Sequence, residues 1–158
     1  MSLSFVTTSF IGLVGIGIGS GLPALALVMG YPRPVTDGLG STIENFDKSK
    51  EAKLGLYLYT VSDILLGGLC TISVVMSLPN NNYDATNTKS GPTVGVTVTQ
   101  TTALVAIACH QFGYLAAAVP AFGGVRNVAT FWSSLITGTV SAGLAAWVTY
   151  HQRHRDDY

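Results

Sequence analysis

The chain has 158 residues, 48% of them hydrophobic and only 10% charged, with eight acidic and eight basic side chains that cancel to zero formal charge. Soluble domains carry roughly 25% charged residues, so this composition excludes an ordinary water-facing surface. Zero net charge, with no basic run interleaved with aromatics, likewise excludes the electrostatic footprint of a nucleic-acid partner.

Four long apolar stretches divide the chain, and Asp63 is the one ionised group inside them. Each meets the requirement of about 20 apolar residues to cross a lipid core. A closed β-barrel, which also hides its backbone polar groups in lipid, needs short alternating segments instead. The sequence therefore predicts an all-α, multi-pass integral membrane protein: a four-helix bundle with antiparallel neighbours and spans at about 5–29, 54–78, 96–119 and 128–150.

Span one carries Gly12, Gly15, Gly17, Gly19 and Gly21. The small-xxx-small pairs Gly15/Gly19 and Gly17/Gly21 predict close approach of another helix backbone. No G-x-G-x-x-G spacing occurs, so a dinucleotide fingerprint is excluded. Pro23 predicts a bend near Ser20. Met1 to Pro32 contains no Lys or Arg to form a basic leader region, so this block is expected to be a retained helix.

The connection 30–53 is amphiphilic, which places it at an interface. Ser41 with Glu44 fits a capping box, so either a short helix starts there or span two begins early. Span two is expected to stop at Pro79 and Asn80, before a polar loop at 79–92. Pro120 and Gly123-Gly124 are expected to end span three, leaving a tight link to span four. Trp132 and Trp147 read as interfacial aromatics, and 151–158 as a solvated polar tail. The histidines at 151 and 154 lack further ligands, so no metal site is expected. Five Lys and Arg residues on the first and third connections, against three on the other side, bias those connections toward the cytoplasm.

Asp63 is the strongest chemical signal, because an aspartate at the centre of a membrane helix costs roughly 2.5–3.5 kcal/mol and usually faces a polar interior. It lies nine residues past Leu54, and His110 lies ten before Pro120. At 1.5 Å per residue both reach a depth of roughly 15 Å, and Ser20 and Thr137 fall near the same level. One polar layer across all four helices is therefore expected, with Asp63 and His110 catalytic and Tyr59, Gln111, Tyr114 and Thr137 binding ligand. Gln100, Ile107, Gln111 and Tyr114 share a stripe of span three, with His110 at its flank. Such groups suffice for proton transfer to a lipophilic substrate, and equally for a satisfied polar core without a reaction. Cys70 and Cys109 are expected to be buried thiols. No hydroxyl or thiol sits in a recognisable activating motif, so nucleophilic hydrolysis is not favoured.

The segment Thr60-Val61-Ser62-Asp63-Ile64-Leu65-Leu66-Gly67-Gly68-Leu69 resembles the Arg-Asp-…-Gly-Leu segment of a family of small four-span membrane proteins of unknown function, with members in bacteria and in fungal natural-product gene clusters. Ser62 stands where that family has arginine. The resemblance covers most of the chain and implies the membrane fold and work on a hydrophobic metabolite.

The sequence thus supports a protein of the bilayer that binds a lipophilic small molecule and isomerises or cyclises it by acid-base chemistry, with no cofactor and no metal. The alternative is a non-catalytic scaffold for partner membrane enzymes, or a small homo-oligomeric transporter, in which Asp63 and His110 lock helices or relay protons.

Overall fold

The computed structural model describes residues 3–19, 50–78, 94–122 and 128–156. They form four helices that pack against one another and, among the described residues, no strand. Helix α1 (Leu3–Phe10) runs on as a π-helical segment, Ile11–Ile16. Helices α2 (Lys50–Ser77), α3 (Val94–Phe122) and α4 (Val128–Asp156) are each longer than the apolar stretch that nucleates them. The predicted bend at Pro23, the pair partner Gly21, the capping box at Ser41 and the loop 79–92 lie outside the described residues.

Two helices run past the apolar spans expected for them. Helix α3 continues through Pro120 to Phe122, because a proline in the last turn forfeits only one backbone bond near an end that already leaves carbonyls unpaired. Helix α4 continues through the first six residues of the expected tail to Asp156. No Gly or Pro interrupts that tail. The His154 ring packs on Tyr150, with centroids 4.1 Å apart, and its Nδ1 lies 3.1 Å from the Tyr150 carbonyl.

Helices α1 and α2 run antiparallel, with Gly12 beside Val74, Gly15 on Cys70 and Gly19 on Gly67. A Cβ built on Gly67 would stand 2.6 Å from the Gly19 carbonyl oxygen, so the two backbones touch. That is the close approach predicted for the Gly15/Gly19 pair; Gly17 instead faces open space. The buried face of α1 repeats every four residues, at Thr7, Ile11 and Gly15. A regular α-helix would drift about 40° at each such step, and the wider i→i+5 winding over 11–16 offsets this.

The interior is as polar as it is apolar. Thr7, Thr60, Asp63, Ser73, Thr97, Gln100, Gln111, Ser134 and Ser141 are buried, whereas Leu13 is 81% and Leu65 69% exposed. Ile11, Leu66, Cys70, Leu104 and Ile107 form an apolar girdle across α1, α2 and α3. On one side of it, fully buried Gln100 donates from Nε2 to Thr8 Oγ1 (2.9 Å) and Ser77 Oγ (3.0 Å), tying three helices together. Gln100→Leu is expected to lower the melting temperature in detergent by several degrees, about 1–2 kcal/mol, since each interhelical bond contributes roughly 0.6 kcal/mol or more. An unchanged melt would show that the two bonds contribute nothing net.

Two stretches, Thr60–Ser77 of α2 and Phe131–His154 of α4, are long and apolar enough to cross a membrane. The polar residues that interrupt α3 point inward at Thr97, Gln100 and Gln111, while Val98, Val105 and Phe112 face out.

Candidate functional site

On the other side of the girdle α2 presents Asp63 and α3 presents His110. Antiparallel packing of α2 on α3 sets Ser77 against Gln100 near one end and, toward the other, brings Asp63 on α2 to His110 on α3. Asp63 is only 4% exposed. His110 Nε2 lies 2.8 Å from Asp63 Oδ1, and His110 Nδ1 lies 3.1 Å from Ser62 Oγ. The Asp63 approach is close but falls off the axis of an aligned hydrogen bond.

Ser62 and Asp63 are adjacent on α2, hence about 100° apart around the helix, and they address the two nitrogens of one imidazole. In the tautomer that carries its proton on Nε2, the nitrogen nearer the carboxylate, Nδ1 accepts from the Ser62 hydroxyl. In that state the pair carries one negative charge, and a proton taken up at Nδ1 gives imidazolium beside carboxylate, with no net buried charge. Behind Asp63, the α1 backbone closes the site: a Cβ on Gly19 would stand 2.5 Å from the Asp63 carbonyl oxygen.

Gln111 is buried beside His110, and Thr60 is buried three residues before Asp63. Tyr114, one turn beyond His110, is half-buried. The position of Tyr59 is within α2, but its side chain lies outside the described set, as does all of Ser20. Thr137 is half-buried on α4, and its carbonyl accepts from Ser141 Oγ at 2.7 Å. Helix α4 packs chiefly along α3, where Phe112 meets Gly138. Phe112 projects about 200° from His110, so Thr137 belongs to the opposite side of α3 and is not brought to the pair. The layer expected across four helices is thus centred on α2 and α3 and backed by α1.

Cys70 is buried as expected, but Cys109 is exposed, because it projects toward the outer edge of α3 rather than its core stripe. It borders an apolar groove of about 640 Å³ between α3 and α4, lined by Val105, Phe112, Ala142, Ala146 and Arg153 among others. That groove borders neither Asp63 nor His110.

Sequence reasoning missed Ser62. A hydroxyl meeting a ring 48 positions away carries no local motif. Comparison with family models, curated proteins and solved structures finds no match for this chain.

Proposed function

We propose that the chain is a multi-pass membrane protein that binds a lipophilic small molecule at the Asp63–His110 pair and isomerises or cyclises it by acid-base catalysis. The observation that carries this reading is the buried 2.8 Å carboxylate–imidazole contact between two antiparallel helices. General acid-base catalysis requires a donor and an acceptor held at fixed distance and shielded from water, and this pair supplies both. Gln111 and Tyr114 flank the pair as ligand contacts, with Tyr59 one turn from Asp63 in sequence. The family resemblance of the Thr60–Leu69 segment points to the same class of hydrophobic metabolite.

Membrane residence is supported by the inverted distribution of side chains, polar inside and Leu, Val and Ile outside, together with two helices of spanning length. Leaving nine polar residues in the interior among the described residues, while exposing large aliphatics, suits hydrocarbon as solvent. The protein is expected to stay in the membrane fraction through alkaline carbonate washing. Cysteine labels at positions 49 and 125 should react from one side, and labels at 85 and 152 from the other. Release into the supernatant, or labelling that splits either pair, would overturn four spans.

The functional test is purification in mild detergent from host membranes, extraction, and mass spectrometry of co-purifying lipophilic compounds, followed by incubation of each with fresh protein. Conversion of a bound compound to an isomer of equal mass supports the proposal. A protein that carries no such compound and alters none is instead a scaffold, with the pair as a helix lock.

A further inference from the structure

We infer that Ser62 is an activated nucleophile, and that Ser62, His110 and Asp63 form a relay able to take an acyl group from a lipophilic ester or thioester. This rests on the reading of Asp63 and His110 as an acid-base pair, and goes beyond it by adding a covalent step. The geometry is that of an activated hydroxyl: Ser62 Oγ lies 3.1 Å from His110 Nδ1, and the other ring nitrogen lies 2.8 Å from a buried carboxylate. A nucleophile, a base within hydrogen-bond reach and a third group orienting the base are the three parts such catalysis needs.

A serine inside a helix ordinarily satisfies its hydroxyl on the carbonyl one turn back. Thr71, Ser77, Thr102, Thr139, Ser141 and Thr149 all do so here. Ser62 turns its oxygen across to a histidine on the neighbouring helix.

The position is also reachable. Ser62 is half-buried at the margin of the packed face of α2, one turn from Leu58 (61% exposed) and from Leu65 (69% exposed). On α3, Gly113 lies one turn from His110, and a Cβ there would meet nothing within 4 Å. An apolar acyl donor can therefore approach sideways, from the lipid-facing surface, without displacing a side chain at that position.

In the acylation step the Ser62 O–H proton passes to His110 Nδ1 while Oγ bonds to the acyl carbon. The tetrahedral centre then collapses, the carbon–oxygen or carbon–sulfur bond of the donor breaks, and the leaving alcohol or thiol takes the proton from Nδ1. Water or an alcohol acceptor reverses the sequence, delivering its proton to Nδ1 and releasing Ser62. Asp63, 2.8 Å from Nε2, offsets the charge of the imidazolium that forms.

The test uses a long-chain alkyl fluorophosphonate on the purified full chain in detergent, with labelled peptides read by mass spectrometry. Attack by Ser62 Oγ on phosphorus expels fluoride and leaves a stable adduct. The expected result is labelling at Ser62, absent in Ser62→Ala and slowed about 100-fold or more in Asp63→Asn. As a second variant, Ser62→Cys in a Cys109→Ala background should react with iodoacetamide faster than the same protein carrying Asp63→Asn. No labelling of the wild type, or alkylation of Ser62→Cys indifferent to Asp63, overturns the inference. If Asp63→Asn loses turnover of a co-purified compound while Ser62→Ala keeps it, the nucleophile falls and the acid-base reading stands.

Discussion

Asp63→Asn is expected to abolish turnover of a co-purified lipophilic compound, by about 100-fold or more, while the protein still inserts and melts within a few degrees of the wild type. Asparagine keeps the shape and a hydrogen-bonding oxygen but cannot exchange a proton, so it separates chemistry from helix locking better than alanine would. The 2.8 Å contact with His110 Nε2 survives as a neutral one. His110→Phe is expected to be equally inactive, because both proton positions of the ring disappear at once. The two roles predict different melts. If the pair serves only as a lock, His110→Phe should lower the melting point and leave residual turnover in proportion to folded protein. Full turnover by well-folded Asp63→Asn protein would reject acid-base chemistry here. Mass-spectrometric progress curves at matched folded concentration decide between these outcomes.

The second large effect concerns assembly. Gly67→Val is expected to detach α1 from α2, because the new Cβ falls 2.6 Å from the Gly19 carbonyl oxygen and the obstacle is backbone, which cannot rotate away. Overpacking of this kind costs about 3 kcal/mol or more, a large fraction of the stability of a small domain. The expected readout is a melting temperature lowered by roughly 10 °C and turnover lost with it, since Gly19 also rests on the backbone of Asp63. Gly17→Ala, facing open space, is the matched control and should melt like the wild type. Equal melts for both would show that the crossing is looser than its geometry implies.

Helix number and the Asp63–His110 meeting were legible because both depend on counting. Runs of apolar residues give length, and rise per residue converts sequence distance to depth. Rotation about the helix axis was harder to read. Thr137 shares the depth of the pair but projects from a helix packed on the far side of α3, and depth alone carries no azimuth. The outward turn of Cys109 was missed for the same reason. The π-helical segment at Ile11–Ile16 has no composition signature, since its widening serves the register of α1 against α2. Helix α4 overran its apolar stretch because hydropathy marks where a helix meets a different solvent, not where its hydrogen bonding stops. The role of Ser62 needed the neighbouring helix to be in place.

The apolar girdle has an electrical meaning for a protein that spans a membrane. Ile11, Cys70, Leu104 and Ile107, all fully buried, separate the Asp63–His110 pair from the Gln100 cluster by a low-dielectric plug. Moving a bare proton through such a plug carries a Born penalty of several kcal/mol even after relaxation, whereas 100 mV of membrane potential supplies only about 2.3 kcal/mol per charge. Along this path the bundle behaves as an insulator rather than a wire. In the proposed membrane setting these described residues would keep a proton at His110 from reaching the Gln100 cluster, and the gradient would not leak by this route.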